Sequence, residues 1–159
     1  MKEHNYQIDL KWTGSEGVGT KNYSSYSRDF EVIAPFKNHL IQGSSDPSFK
    51  GDRTRYNPEE VFLSSIASCH MLWFLHLCST KKIVVLEYQD QAIGTMTEEK
   101  DGSGRFKEVT LHPEIVVAAS VELELVEQLH KKANEMCFIA NSCNFPIGHK
   151  PKVRVQGQV

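Results

Sequence analysis

The 159-residue chain lacks an excess of charge, since 18 Lys and Arg stand against 20 Asp and Glu for a formal net charge of −2. Such a balance cannot steer binding to nucleic acid or to an anionic membrane, so neither is expected as a partner. Long apolar runs are also missing: the longest, residues 71–77 with His76 inside it, is too short to span a bilayer. Residues 1–6 are polar and lack the apolar middle of a signal peptide, so the expected compartment is the cytoplasm.

The 4 cysteines lack the spacings of common metal and redox motifs. Cys69, Cys78, Cys137 and Cys143 contain no C-x-x-C pair, which argues against a zinc ribbon and against a thioredoxin motif. The histidines supply no familiar ligand spacing either, so no metal site is predicted. In the cytoplasm such thiols stay reduced unless they do chemistry.

The composition fits one domain over residues 1–159 with a real core, because 40% of the residues are hydrophobic. The first third reads as short strands and turns. Residues 6–12 alternate apolar and polar side chains as a half-buried strand does, and residues 23–33 form a second strand region. Between them residues 14–19 predict a turn, and residues 42–52 predict a loop.

A strongly marked helix follows that loop. Asn57 suits the cap, Pro58 the first helical position, and Glu60 the third residue after the cap. Apolar side chains then recur at three- and four-residue steps to about Thr80 and cover much of the circumference. This pattern predicts a central, buried helix.

The second half predicts three strands, a helix and a last strand. Residues 83–88, 92–97 and 106–117 are read as an antiparallel meander, and residues 152–156 as a last short strand. Ser120 is the expected cap of the second helix. Its inward stripe is read as Val126, Leu129 or His130, Ala133, Cys137 and Ala140.

Cys69 and Cys137, on the two helices, are the candidate redox pair. Each is by itself more simply a core residue, because free cysteine packs as a small hydrophobe. A reactive thiol must be a thiolate, and burial alone raises the pKa of a thiol, so a cationic neighbour is required. Arginines 28, 53 and 55 are the candidates. Since Glu60 occupies the capping position, Glu59 is freer to hold a guanidinium beside the thiol.

These motifs resemble those of a known family. Asn57-Pro58-Glu59-Glu60 with Cys69, and a later Ala133-x-x-x-Cys137-x-x-x-Asn141, are similar to the OsmC/Ohr family of osmotically inducible and organic hydroperoxide resistance proteins. The stretches 68–78 and 137–142 resemble an OsmC-like subgroup. The resemblance implies an α+β fold of curved antiparallel sheets with two buried helices, an intertwined homodimer, and a thiol peroxidase that prefers organic hydroperoxides.

The resemblance also implies roles for individual residues. Cys69 matches the peroxidatic cysteine, Cys137 the resolving cysteine, and Glu59 the glutamate that orients the active-site arginine. The Cys69 sulfenic acid would condense with Cys137 to a disulfide, without metal or flavin, and a dihydrolipoyl protein, thioredoxin or a small thiol would reduce it. The apolar surroundings expected to bind the substrate tail are Phe62, Ile66, Trp73, Phe138 and Ile139.

Three features depart from the family pattern. Phe138 stands where classical members often have proline. The N-terminal strand region offers no arginine before Arg28, so Arg55 is assigned the role, with Arg53 second. Cys143 is an additional thiol and an alternative resolving cysteine.

Two other functions remain open on the sequence. The same fold could bind a small apolar ligand with inert cysteines lining the pocket. It could also be a thiol-dependent acyl hydrolase that uses Cys69 as nucleophile and His70 or another residue as base.

Overall fold

The computed structural model describes residues 2–157, which divide into two compact units on either side of the Val61–Phe62 bond. The prediction of one domain over residues 1–159 stays a prediction, and Met1, Gln158 and Val159 lie outside the described residues. The first unit contains an antiparallel sheet in the order β1 (Asp9–Trp12), β2 (Phe30–Ile33), β3 (Ile41–Gly43), and a short 3₁₀ turn at Pro47–Phe49.

Both N-terminal strands are shorter than their sequence patterns, and β2 is shorter because residues 23–28 form a compact loop. The Arg28 guanidinium lies 4.2 Å from the Tyr23 ring centroid and 4.3 Å from that of Tyr26. It also donates 2.6 Å hydrogen bonds to both of their carbonyl oxygens. Such a local contact leaves no trace in the alternation of apolar and polar residues, so the sequence pattern did not predict it.

Helix α1 spans Pro58–Thr80, as predicted. Its capping box is complete: Asn57 Oδ1 accepts from the Glu60 N–H at 2.8 Å, and Glu60 Oε2 accepts from the Asn57 N–H at 3.0 Å. The helix ends before Lys82, whose φ of 59° is left-handed, and the Ile83 N–H donates to the Cys78 carbonyl at 2.9 Å.

Only one face of α1 is buried in the single chain. Ile66, His70, Phe74 and Cys78 form that face, whereas Leu72 remains 62% exposed. The expectation of a central, buried helix therefore holds for one side only. By length and composition α1 is also, among the described residues, long and apolar enough to cross a membrane, which corrects the expectation from the 71–77 run. This is weak evidence for a span, because the core helix of a soluble protein has the same properties.

The second unit contains two sheets of mixed direction. They run in the order β4 (Val85–Asp90), β7 (Pro113–Val117), β9 (Lys152–Val155), and β5 (Ile93–Glu98), β6 (Gly104–Leu111), β8 (Ile147–His149). β4 with β7 and β5 with β6 are antiparallel, whereas β6 with β8 and β7 with β9 are parallel. The expected antiparallel pairing of residues 92–97 with the strand that follows is confirmed, whereas β4 pairs with β7 and not with β5, so the meander is wrong for that strand.

The single strand expected over residues 106–117 is two strands in different sheets. The chain changes sheet at His112, whose backbone N–H donates to Asp90 Oδ1 at 2.7 Å and so leaves the ladder. Pro113 then begins β7. Strand β8 was not predicted, because a three-residue strand beside Pro146 and Gly148 has too little periodicity to detect.

Helix α2 (Leu123–Met136) follows, and the short helix α3 (Phe138–Asn141) comes directly after it. Ser120 is not the cap: α2 begins after Glu122, which makes no side-chain capping bond. The predicted inward stripe is confirmed for Val126, Leu129, His130 and Ala133, which are buried, whereas its last two members, Cys137 and Ala140, lie beyond the end of α2. One core cluster joins α1 to α2, β7 and neighbouring strands, and a second is centred on Ile66, Val109 and Leu111.

Candidate dithiol site

The two candidate thiols stand on different kinds of backbone. Cys69 lies half-buried in the middle of α1. Cys137 is fully buried and sits at a break between α2 and α3, with an extended backbone (φ −70°, ψ 112°). The expectation that Cys137 lies inside a continuous helix is therefore wrong. Its sulfur caps α3 by accepting from the Ala140 N–H at 3.3 Å, and this satisfies a donor that the helix break leaves free.

The structure brings these two thiols together without a disulfide between them. Burial, together with a side-chain hydrogen bond with Cys69, raises the pKa of Cys137 to about 11, against the lowering effect of the Ala140 N–H. Cys137 is therefore a neutral thiol at neutral pH, with a proton to share with the Cys69 sulfur. The hydrogen bond makes the two thiols neighbours in the fold, although they lie far apart in the sequence.

Two aromatic rings accompany the thiols along the chain. Trp73 lies one turn after Cys69, and Phe138 directly follows Cys137. Their ring centroids are 6.1 Å apart in an edge-to-face arrangement, and Phe138 is 65% exposed. A groove of about 300 Å³ on the same helix is lined by Leu72, Trp73 and His76. An apolar surface thus extends from the paired thiols towards solvent.

The other three residues expected to bind substrate pack against apolar neighbours in the second unit. Phe62 packs against the rings of Phe106 and Phe145, with centroids 5.3 and 6.2 Å away. Ile66 is fully buried in the second core cluster, and Ile139 packs against that cluster. These contacts give all three a packing role in the single chain.

The charged candidates belong to the first unit. Arg55 Nε lies 3.6 Å from Asp29 Oδ2 and 3.7 Å from Asp52 Oδ2. Arg53 is exposed, and Arg28 is held by its two tyrosines. Glu59 is half-buried in the first turn of α1, where Glu60 takes the capping role. The action of Arg55 and Glu59 on Cys69, which is in the second unit, stays a prediction.

The remaining cysteines pack in the core clusters. Cys78 is buried in the first cluster, and burial raises the pKa of its thiol to about 11. Cys143 packs against the second cluster and donates its S–H to the Ile139 carbonyl at 3.2 Å. Burial also raises the pKa of Cys143. Within residues 2–157 neither thiol has a hydrogen bond with Cys69 or Cys137.

A buried histidine cluster is the feature that sequence reasoning missed. His70 on α1 and His130 on α2 share a 2.9 Å Nε2–Nδ1 hydrogen bond, and His149 on β8 lies beside both. Burial lowers the pKa of His70 to about 4 and that of His130 to about 3, with the neighbouring imidazoles adding to the effect. The four-residue recurrence Ile66–His70–Phe74–Cys78 was the available signal for His70. Among residues 2–157 no group of three or more His, Cys, Asp or Glu has the arrangement to hold a metal ion.

An α+β fold and two free thiols in contact define the chain as a protein with a paired-thiol site. The family model described as OsmC-like protein matches residues 50–151, and the chain belongs to this family. The expected α+β, OsmC-like fold is thus confirmed. No curated protein matches the chain.

Solved structures agree with this family. An OsmC-like protein of unknown function from Vibrio cholerae O1 biovar eltor is 25% identical, with a TM-score of 0.84, and the match covers 94% of this chain and 100% of that one. An organic hydroperoxide resistance protein OsmC, described as a predicted redox protein, from Legionella pneumophila is 17% identical, with a TM-score of 0.70 and coverage of 98% and 100%. A second Vibrio cholerae structure, a putative organic hydroperoxide resistance protein with captopril in one active site, is 21% identical, with a TM-score of 0.65 and coverage of 98% and 95%.

Proposed function

We propose that this protein is a thiol-dependent peroxidase that reduces organic hydroperoxides to alcohols. The observation that carries the proposal is the contact between the Cys69 and Cys137 thiols, which are far apart in the sequence. Family membership is consistent with it, because some structures of the same fold are named organic hydroperoxide resistance proteins. The reaction needs no metal or flavin, because the two sulfurs together supply two electrons.

In the first step the Cys69 thiolate attacks the distal peroxide oxygen. The O–O bond breaks, the departing alkoxide takes up a proton to become the alcohol, and Cys69 becomes a sulfenic acid. Arg55, oriented by Glu59, is the proposed cation that stabilises the thiolate and the developing negative charge, with Arg53 as the second candidate. Arg28 is the weakest candidate because its guanidinium is occupied by Tyr23 and Tyr26.

In the second step Cys137 resolves the sulfenic acid. Its sulfur attacks the Cys69 sulfur, the S–S bond forms, and the hydroxyl group leaves as water with the Cys137 proton. Because its pKa is raised, Cys137 remains a neutral thiol at neutral pH and carries the proton that the leaving hydroxyl group needs. An external dithiol or thiol then reduces the disulfide with two electrons and restores both thiols.

The substrate tail is proposed to lie against the edge-to-face pair of Trp73 and Phe138. These rings provide apolar surface next to the thiols, whereas Ile66 is too deeply buried to contact a substrate in this conformation. We therefore expect purified protein with dithiothreitol or a dihydrolipoyl compound to consume cumene hydroperoxide at least about tenfold more efficiently than hydrogen peroxide. Peroxide loss followed with a ferrous–xylenol orange assay checks this, and equal kcat/KM values would contradict the aromatic subsite.

We also propose that the chain works as a homodimer in the cytoplasm. Leu72 on α1 and Phe138 on α3 are 62% and 65% exposed in one chain, and a second copy would remove such apolar surface from water. Light scattering on the purified protein is expected to give twice the chain mass. Leu72→Glu is expected to shift the equilibrium towards monomer, whereas Ser79→Glu, at an exposed polar position of the same helix, is the charge-matched control. A monomeric wild-type protein at micromolar concentration would contradict the dimer.

The acyl hydrolase alternative is less well supported by the geometry. It requires a base beside Cys69, and the nearest imidazole in the sequence, His70, is bound through Nε2 to His130. Burial also holds the pKa of His70 near 4, which makes it a weak base. Binding of an apolar ligand in the Leu72–Trp73–His76 groove remains the second candidate. Tight binding of the alcohol product without turnover of the hydroperoxide would favour it.

A further inference from the structure

The hydrogen bond between His70 and His130 has a demanding geometry. The two imidazole planes are 6° from parallel, and the ring centroids are 5.2 Å apart while Nε2 and Nδ1 are only 2.9 Å apart. The rings therefore meet edge to edge, with the nitrogens aimed at each other. Both side chains are buried, at 1% and 0% exposure, so water does not compete for the bond. A bond of this kind tolerates little sliding of one helix along the other.

The same two helical segments carry the two thiols. His70 directly follows Cys69 on α1, and His130 lies seven residues, or two helical turns, before Cys137 at the end of α2. Phe74, one turn after His70, stacks on the His130 ring at a centroid distance of 3.9 Å. The histidine pair and the thiol pair are thus two successive contacts between α1 and the α2–α3 segment. A shift at one contact changes the separation at the other.

The histidine pair stabilises the core less than two apolar side chains would. In the described chain His70 Nδ1 and His130 Nε2 are buried without a hydrogen-bond partner, and each such atom costs stability. Two apolar side chains of similar volume would pack without that penalty. What the imidazoles supply and apolar side chains do not is a directional bond, which fixes the register between two elements.

We propose that the His70–His130 hydrogen bond sets the register of α1 against α2 and thereby holds the Cys69 and Cys137 sulfurs at the separation that favours their disulfide. Both histidines are positioning residues: they act through the helices and touch neither peroxide nor sulfur. The role in turnover rests on the proposed peroxidase function. The effect on disulfide closure does not, because any disulfide oxidant can drive it.

The test is the equilibrium between the protein dithiol and glutathione. Oxidised glutathione accepts two electrons as Cys69 and Cys137 lose their thiol protons and form one disulfide, which releases two molecules of reduced glutathione. The Cys69–Cys137 disulfide is quantified by peptide mapping after acid quenching over a series of glutathione ratios. The resulting equilibrium constant measures how well the two sulfurs are held together.

Replacing both histidines removes the bond without leaving one imidazole unpaired. In His70→Leu/His130→Leu the equilibrium constant is expected to fall by roughly tenfold or more, although unfolding in urea at neutral pH shows equal or greater stability. His70→Gln, whose amide reaches the Nε2 position, is expected to retain the constant within about threefold. Phe74→Leu is the matched control: it lowers stability at the same contact but leaves the histidine bond, so its constant stays near that of wild type.

The outcomes separate this proposal from the proposed function. An unchanged constant in the double leucine variant, or an equal fall in Phe74→Leu, overturns the positioning role, even if the wild type reduces peroxide. If the double variant does not fold, His130→Leu alone gives the same measurement against His130→Asn, whose amide replaces Nδ1, and equal constants in those two variants overturn the role. A fall confined to the leucine variants supports it, even if the wild type proves inert towards hydroperoxide.

Discussion

Cys69→Ser is expected to abolish peroxide reduction, lowering kcat/KM for cumene hydroperoxide by roughly a thousandfold or more, because no other described thiol replaces the nucleophile. Cys78 is buried in the first core cluster with its pKa raised to about 11. Cys143 donates its S–H to the backbone carbonyl of Ile139 at 3.2 Å, and burial raises the pKa of its thiol. Single-turnover and steady-state peroxide consumption measure the loss.

Two matched variants assign the second step. Cys143→Ser is expected to keep activity within about twofold of wild type, because its S–H donates to the Ile139 carbonyl, a bond that the serine hydroxyl can also make. Cys137→Ser is expected to react with one equivalent of peroxide and then accumulate a Cys69 sulfenic acid, which dimedone traps. Steady-state turnover with a dithiol reductant should fall more than the single turnover does.

Retention of full activity by Cys69→Ser would refute the assignment of the nucleophile.

The second large effect concerns stability in acid. His70 and His130 have pKa values lowered to about 4 and about 3 by burial and by neighbouring imidazoles, including His149, whereas an unfolded histidine titrates near 6.5. Between those values the unfolded chain binds more protons than the folded one, so the free energy of unfolding decreases as the pH falls below about 6.5. Each of the two imidazoles is expected to cost on the order of 2–3 kcal/mol by about pH 4.5.

Urea unfolding at several pH values between about 7.5 and about 4.5 measures this loss. His70→Leu/His130→Leu is expected to show a much shallower dependence, which isolates the pair from the general titration of carboxylates. Two side chains face the pair: Phe74 on α1 is apolar, and His149 on β8 is half-buried, with a pKa that burial lowers and Glu127 partly restores. The same pH slope in wild type and double variant would show that the two imidazoles do not titrate as buried groups.

The sequence predicted best what is decided locally. The capping box at Asn57 and Glu60 and the end of α1 near Thr80 depend on neighbours within one turn, and both are confirmed. The buried face of α2 was also predicted, because the helical period of its apolar residues is visible in the sequence. The start of α2 was not predicted. The true N-cap, Glu122, makes no side-chain capping bond, so the sequence offered no reason to prefer it over Ser120.

Long-range pairing could not be predicted in the same way. The change of sheet at His112 depends on the carboxylate of Asp90, and β8 exists because β6 offers it a parallel edge. The same distinction between local and long-range features applies to the candidate site. The family resemblance selected Cys69 and Cys137, but the helix break at Cys137 and the partner of His70 depend on how the second unit packs. A buried histidine is visible in a helical pattern, whereas the residue that it binds is not.

The central claim is that Cys69 and Cys137 form one redox pair. The most direct test treats the reduced protein with one equivalent of cumene hydroperoxide, then measures the intact mass and maps the peptides. The account predicts a loss of two hydrogens located in a Cys69–Cys137 disulfide and absent from Cys69→Ser. A bond between Cys69 and Cys143 would move the resolving role to Cys143. An unchanged mass with all thiols intact would contradict the peroxidase account.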